Sequence, residues 1–171
     1  MGATQPSSGE VPPNAAGGIE WKVEAPLVAQ VPQSRMRAAE YKVEGDGSTA
    51  EAVLTVFYFG PGQGGSVQAN LDRWVDQFVQ PDGTSSREAA RVENQEIAGM
   101  MVKTVDLEGS FNGGMGPMMQ GSGEPQPGFR VLGAIASGPE GPVFFKLLGP
   151  KATVDKAEAA FLTLIQSIHP S

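Results

Sequence analysis

Apolar and polar residues alternate in several segments of the chain, which is the pattern of half-buried β-strands. Ile19, Trp21 and Val23 alternate where the first large apolar residues occur. In 51–59 both alternating sets are apolar, which predicts a central strand covered on both faces. Further strands are predicted at 36–44, on both sides of Ala98-Gly99, and on both sides of the turn 138–141.

Two segments carry apolar residues at helical spacing instead. After a glycine-rich turn, apolar residues recur at i, i+4, i+7, i+8 and i+11, and Ser66 stands at the N-cap position. These residues are Val67, Leu71, Trp74, Val75 and Phe78. A closing helix is predicted over 154–168, with Pro170 beyond its end. Hairpins dominate, so we predict an α+β domain: a twisted, mostly antiparallel sheet with the helices 66–79 and 154–168 packed on it.

The two ends of the domain follow from composition. Residues 1–18 contain Gly, Pro, Ser and Ala with almost no large apolar side chain, so burial would not offset the conformational entropy lost on ordering them. They are interpreted as a disordered leader. Residues 19–169 are predicted to form one domain. Of the 171 residues, 40% are hydrophobic and none is cysteine, so the core is expected to form without disulfides or thiolate metal sites.

Charge narrows the classes of partner. The formal net charge is −7, and the 12 Lys and Arg residues form no basic run, which argues against binding to nucleic acid or to an anionic membrane surface. No apolar window reaches the roughly 18 residues that a membrane-spanning helix needs. As given, the chain is expected to be soluble.

Gly60, Gly62 and Gly65 have the spacing G-x-G-x-x-G, which occurs in dinucleotide-binding turns. The following segment lacks the second buried strand with an acidic end that such a site requires, and no lysine follows Gly65 as in a P-loop. The interpretation is therefore a tight turn in which glycines take positive φ and Ser66 caps a helix. The alternative is a small anion or polar ligand at the helix N-terminus, between Ser66 and Asn70.

A second unusual segment, 111–129, is rich in glycine, proline and methionine. Met115, Met118 and Met119 allow three interpretations: packing against the sheet, contact with a partner, or binding of copper(I), which soft thioether ligands select. No other metal and no cofactor is expected.

Catalytic machinery is not visible in the sequence. His169 is the one histidine, and its place after the last helix favours a dipole partner over a general base. There is no cysteine and no G-x-S-x-G motif, and Asp106 with Glu108 has the spacing of a solvated strand face. A hydrolase built from distant carboxylates would need a pocket containing an acidic side chain with a raised pKa. We expect a protein that is not an enzyme.

The block FYFGPGQGGSVQANLDRWVDQF, with the later segments VDLEGSF, GFRVLGAIASGPEGPVFFKLLGP and FLTLIQSI, resembles a family of uncharacterised bacterial proteins that are often exported or lipid-anchored. The resemblance covers about 19–169. More distantly, the order of elements is similar to the PsbP fold and to the related Ran-binding nuclear import factor, an αβα sandwich. The residues that define the block are Gly60, Gly62, Gly65, Asn70, Trp74 and Phe78.

The resemblance implies a binding or accessory module and supplies no catalytic residue. It also implies an extracytoplasmic location at the cell envelope, with the leader as a tether and a lipid anchor upstream of the given sequence. The expected function is a non-enzymatic, envelope-associated module with an unknown protein or small-ligand partner. The alternatives are a copper(I)-binding protein or a small-anion-binding domain at the loop 60–66. The candidate contact residues are Gly60, Gly62, Gly65, Ser66, Asn70, Met115, Met118 and Met119.

Overall fold

The structure is a computed structural model that describes residues 14–32, 37–45, 50–62, 65–80, 82–112 and 126–171. Its strands are β1 (Ala15–Ala16), β2 (Ile19–Glu20), β3 (Val28–Gln30), β4 (Arg37–Val43), β5 (Ala52–Phe57), β6 (Phe78–Val79), β7 (Arg91–Ile97), β8 (Met100–Phe111), β9 (Gln126–Gly138), β10 (Gly141–Pro150) and β11 (His169–Pro170). Its helices are α1 (Val67–Asp76), α2 (Ser86–Ala89) and α3 (Lys151–Gln166).

The main sheet is antiparallel, as predicted. Its strands lie in the order β3-β4-β5-β10-β9-β8-β6, and β7 also pairs with β8. The long hairpins β7–β8 and β9–β10 are those predicted from the sequence. In the β7–β8 turn Ala98 and Gly99 both have positive φ, 52° and 83°, which matches the twist of the strands that they join. Strands β1, β2 and β11 form a separate small sheet.

Both faces of the main sheet are covered, which makes an α/β/α sandwich and confirms the α+β class. On one face, Leu54 and Val56 of β5 pack in a cluster with Phe161 and Leu164 of α3. A second cluster on the other face consists of residues from α1, β6, β8, β9 and β10: Leu71, Trp74, Val75, Phe78, Val105, Leu107, Phe111, Phe129, Val131, Ile135 and Phe144. Residues on both faces of β5, such as Leu54 and Thr55, are therefore buried, because a helix lies on each side of the sheet.

Helix α1 begins where the sequence predicts and ends earlier. The Ser66 hydroxyl accepts a hydrogen bond from the Ala69 amide at 3.0 Å, as an N-cap does. The helix ends at Asp76, so its predicted extension to residue 79 is wrong. Phe78 instead lies in β6 opposite Phe111 of β8, and the two rings are 5.6 Å apart. Phe78 is buried as the helical spacing suggested, because a strand at the sheet edge buries it equally well.

The C-terminal helix is displaced from its predicted bounds. α3 begins at Lys151 directly after β10 and ends at Gln166, whereas 154–168 was predicted. His169 and Pro170 follow as strand β11, which pairs with β2. The Nδ1 atom of His169 lies 2.9 Å from the Ser167 carbonyl oxygen, at the C-terminal end of α3.

The first described residues are already paired. Ala15 and Ala16 form β1 against β2, so pairing begins four residues before the predicted start of the domain at residue 19. Residues 1–13 of the predicted leader lie outside the described part of the chain. In that described part, no helix has the length and apolar character needed to cross a membrane.

Candidate ligand-binding cleft

A cleft of about 510 Å³ lies between α1 and the part of the sheet formed by β5 and β10. Four of its lining residues come from α1 and its C-cap Gln77, and four come from the sheet or the residues directly after β5: Asn70, Arg73, Trp74, Gln77, Phe57, Phe59, Phe144 and Lys146. None of these eight residues is a carboxylate. The hydrolase hypothesis, which required an acidic side chain in a pocket, has no support in this cleft.

The local structure explains why these side chains share one cleft. Asn70, Arg73 and Trp74 of α1 and the C-cap residue Gln77 are spaced i, i+3, i+4 and i+7, so they line one face of the helix and its end. In the sheet, Phe57 lies opposite Phe144 and Thr55 lies opposite Lys146. Residues that lie opposite each other in an antiparallel pair point to the same face of the sheet. The aromatic and basic residues of β10 are therefore both directed toward α1.

Aromatic rings form the apolar wall of the cleft. Phe59 lies 6.0 Å from Phe57 and 5.9 Å from Phe144 between ring centroids, and its side chain is among the exposed large apolar groups. Trp74 meets Phe144 edge to face at 6.5 Å. Trp74 approaches the sheet at Gly133, where a Cβ atom would stand only 2.6 Å from the indole Cζ3. The absence of a side chain at Gly133 therefore sets the position of the tryptophan ring.

Lys146 is the charged group on the sheet side of the cleft. Its Nζ donates a hydrogen bond of 2.9 Å to the Gln77 side-chain oxygen and lies 5.7 Å from the centroid of the Trp74 ring. Burial, together with the positive charges of Arg73 and Arg37, lowers the pKa of Lys146 from 10.5 to about 8. In the described part of the chain, no carboxylate forms an ion pair with this ammonium group.

Arg73 is the charged group on the helix side. It is exposed, and its Nη1 donates to the Asn70 side-chain oxygen at 2.9 Å. The Asn70 side-chain amide in turn donates to the Ser66 carbonyl oxygen at 2.9 Å. Arg37 differs from Arg73, because it forms a 2.6 Å ion pair with the buried Glu40, to which Gln30 also donates. Arg73 and Lys146 thus give the cleft a positive charge in a chain whose net charge is −7.

The residues predicted from the glycine loop have the conformations expected of a turn. Gly60, Gly62 and Gly65 all have positive φ, at 109°, 70° and 84°. Ser66 uses its hydroxyl as the helix cap. Asn70, which is 4% exposed, is the one of these five residues that lines the cleft. Anion binding at this loop remains a prediction, and Met115, Met118 and Met119 lie outside the described residues.

Sequence reasoning did not select Lys146, Arg73, Gln77 or the phenylalanines as site residues. One signal was present for Lys146, because a single lysine interrupts the otherwise apolar run 143–148. A second signal was the spacing of Arg73 and Gln77 from Asn70, which places them on the same helix face. Neither signal shows that the two segments meet.

Asp106 was predicted to lie on a solvated face, and the structure corrects this. Arg130, which is 6% exposed, donates two hydrogen bonds to Asp106, at 2.9 and 2.7 Å. The same guanidinium contacts Asp155 at 2.6 Å and Glu158 at 3.2 Å. This cluster joins β8, β9 and α3, away from the cleft. In the described residues, no group of three or more His, Cys, Asp or Glu side chains is placed to hold a metal ion.

Comparison with known proteins gives a fold but no family. No protein family matches the sequence, and no curated protein matches it. The solved structure of cyanobacterial PsbP from Synechocystis sp. PCC 6803 is similar, with a TM-score of 0.55, 11% identity, and coverage of 100% of this chain and 97% of that one. A protein of unknown function from Pseudomonas aeruginosa is also similar, with a TM-score of 0.51, 12% identity, and coverage of 91% and 99%. The chain therefore has a PsbP-like fold.

Proposed function

We propose that this protein is a non-enzymatic binding module and that the cleft between α1 and the sheet binds a small organic anion with a flat apolar body. One observation carries the proposal: Arg73 and Lys146, which have no carboxylate partner among the described residues, border a cleft walled by aromatic rings. The volume of about 510 Å³ lies in the usual range for small-molecule sites, ~300–1,000 Å³.

The charge of Lys146 favours an anion over a neutral ligand. Removing an ammonium group from water is costly unless an opposite charge or hydrogen bonds replace the lost hydration. Gln77 supplies one neutral acceptor, and the face of Trp74 supplies a weak one. A ligand carboxylate or phosphate would complete the set of partners, and its attraction to the lysine is strengthened by the low polarity of the walls.

The aromatic walls favour an anion that also has an apolar part. Phe59 is exposed at the edge of the cleft, and Trp74 forms its helix side. Aromatic rings in offset or edge-to-face contact gain about 0.5–1.5 kcal/mol beyond the burial of area. Inorganic phosphate could use the two cations but not these rings, so it should bind more weakly than an aromatic anion.

Titration with terephthalate, an aromatic dianion, tests the proposal. We expect amide shifts in α1 and β10, measured by NMR, and weaker binding of inorganic phosphate. Arg73→Gln and Lys146→Met should each weaken terephthalate binding at least about tenfold, which corresponds to ~1.4 kcal/mol. The matched control is Arg91→Gln, which removes an exposed arginine from β7 outside the cleft. The proposal is wrong if terephthalate does not bind, or if it binds both cleft variants as tightly as the wild-type protein.

The finer expectations from the sequence are also proposals. Association with the cell envelope and membership of an exported or lipid-anchored family rest on the sequence resemblance, and fractionation of cells that express the full gene tests them. Copper(I) binding would use Met115, Met118 and Met119, and replacing all three by leucine should then abolish it. Anion binding at 60–66 would shift the amides of the α1 N-terminus without involving Lys146.

A further inference from the structure

We propose that Lys146 captures its ligand covalently, through a reversible imine between its Nζ and the carbonyl carbon of an aldehyde or ketone whose anionic group is held by Arg73. This inference rests on the proposed function, because it uses the same cleft. It adds a chemical class of ligand, a carbonyl compound with an anionic substituent, and a bond that simple anion binding does not form.

The partners of Lys146 differ from those of Lys42 and Lys151. Lys42 pairs with Glu44 at 3.2 Å, and Lys151 pairs with Asp155 at 2.8 Å, so a carboxylate stabilises each ammonium group. Lys146 has a neutral amide oxygen at 2.9 Å and an aromatic face as its partners. Neither partner stabilises the protonated form of the lysine as a carboxylate does. The Lys146 amine, which is also buried, is therefore easier to deprotonate and to use as a nucleophile than the amines of Lys42 and Lys151.

Charged groups on both sides of Lys146 act in the same direction. Arg73 approaches from α1 and Arg37 from β4, and Glu40, also on β4, is engaged by Arg37. With its pKa lowered to about 8, about a tenth of Lys146 is free amine at pH 7. A lysine with a pKa of 10.5 would have roughly three free amines in ten thousand molecules. The attacking species is thus more abundant at Lys146 than at an ordinary lysine.

The separation of Arg73 from Lys146 bears on the shape of the ligand. Arg73 and Gln77 are four residues apart on α1, about 6 Å along the helix axis, and Gln77 contacts Lys146. The Arg73 guanidinium contacts Asn70, whereas Lys146 contacts Gln77, so a ligand that reaches both needs a spacer between its anionic group and its carbonyl carbon. Trp74 lies between these positions on the same helix face, where it can contact a flat spacer such as a benzene ring.

The chemical step needs no oxidant and no further reactant. The lone pair of neutral Lys146 Nζ attacks the carbonyl carbon, a C–N bond forms, and the carbonyl oxygen takes up a proton to give a carbinolamine. Loss of water then gives the C=N bond. The carbonyl oxygen and the two hydrogens of the amine leave together as that water molecule, and addition of water reverses the reaction.

The test uses 4-carboxybenzaldehyde, which carries an aldehyde and a carboxylate on opposite sides of one ring. Cyanoborohydride reduces an imine to a stable amine, and peptide mass mapping then locates the adduct. We expect Lys146 to be labelled at an aldehyde concentration at least tenfold below that needed for Lys151 or Lys156. Terephthalate should protect Lys146, and benzaldehyde, which lacks the anionic group, should label it at least tenfold less efficiently.

Matched variants separate charge from nucleophilicity. Lys146→Arg keeps a cation in the cleft and should bind terephthalate but give no adduct there. Lys156→Arg, the surface control, should leave labelling of Lys146 unchanged. Competition by terephthalate in the wild-type protein keeps the test valid if a variant fails to fold.

The two possible failures can be told apart. If terephthalate binds but Lys146 is labelled no faster than surface lysines, the imine is ruled out and the proposed function stands. If neither terephthalate nor the aldehyde binds in the cleft, both proposals are wrong.

Discussion

At the scale of single residues, the environment of Lys146 decides the chemistry of the cleft. The Lys146 side chain projects from the largely apolar strand β10, and its Nζ atom lies near Gln77 and the ring of Trp74. Its stem can pack on the rings while its charged end stays at the cleft, as amphipathic side chains do at the border of an apolar region. A lysine held in this way destabilises the fold while it is charged, and the effect can be measured.

We predict a specific pH dependence of stability for Lys146. Its pKa falls from 10.5 to about 8 on folding, so between these pH values the unfolded chain binds a proton that the folded chain lacks. Stability conferred by this residue therefore rises with pH from about 8 to 10.5, by up to ~3 kcal/mol. Urea unfolding of wild-type protein and Lys146→Met should show the difference, with the exposed Lys22→Met as control. Parallel stability curves for wild type and Lys146→Met would contradict the prediction.

A second prediction at the residue scale concerns Gly133. In Gly133→Ala the new Cβ would lie 2.6 Å from Trp74 and 3.0 Å from Val105, so the indole ring must move. We expect a loss of about 1–3 kcal/mol in the free energy of unfolding, the usual range for overpacking, and weaker binding of terephthalate. In a Trp74→Phe background the smaller ring should reduce the cost of the same change. Equal costs in both backgrounds would show that Trp74 is not the obstacle.

At the scale of elements, the sheet is held to α3 by a charge cluster on the face opposite the cleft. Arg130 of β9 contacts Asp106 of β8 and both Asp155 and Glu158 of α3. Burial raises the pKa of Asp155, but hydrogen bonds from Lys151 and Arg130 outweigh it, and the pKa lies below 3.8. A carboxyl whose pKa is lowered on folding stabilises the fold above its unfolded pKa.

We predict that Arg130→Met costs about 2 kcal/mol at neutral pH. Removing the buried cation takes an ion-pair partner from Asp106, Asp155 and Glu158, although Asp155 keeps Lys151. The partial exposure of these carboxylates also reduces the penalty below the ~3–5 kcal/mol of a fully buried pair. The difference from wild type should shrink as the pH falls through the folded pKa of Asp155, below 3.8. Chemical unfolding at neutral and acidic pH measures this. Lys151→Met, at an exposed pair, should cost less than Arg130→Met, and an equal cost would argue against burial as the reason.

At the scale of the whole molecule, the fold places a positive cleft in an acidic chain. The net charge of −7 argues against polyanions such as nucleic acid as partners. It is compatible with binding of a small anion, because such a ligand interacts mainly with the charges that surround it in the cleft. The PsbP-like fold does not determine which ligand binds, since proteins with one fold can have many functions. The choice depends on the side chains that this chain places on α1, β5 and β10.

The sequence alone determined most of the elements and the class of fold. The helical spacing from Val67 to Val75 follows from burial of one helix face, and the apolar residues on both faces of β5 follow from burial of both faces. Any packing that buries these faces preserves the helix and the strand. The apolar pattern does not fix the ends of the elements, because a residue such as Phe78 can be buried at the end of a helix or in a short strand. Asp106 was misjudged because its partner Arg130 is 24 residues away in the sequence.

Only the tertiary structure determines which residues meet in the cleft. Lys146 and Gln77 are 69 residues apart in the chain. Their contact depends on the register of β10 against β5 and on the packing of the Trp74 ring against Gly133. A slip of one residue in that register would turn Lys146 to the opposite face of the sheet, toward α3. Sequence periodicity shows which residues can share a face, whereas the meeting of two distant faces, and the lowered pKa that follows from it, is a property of the packed molecule.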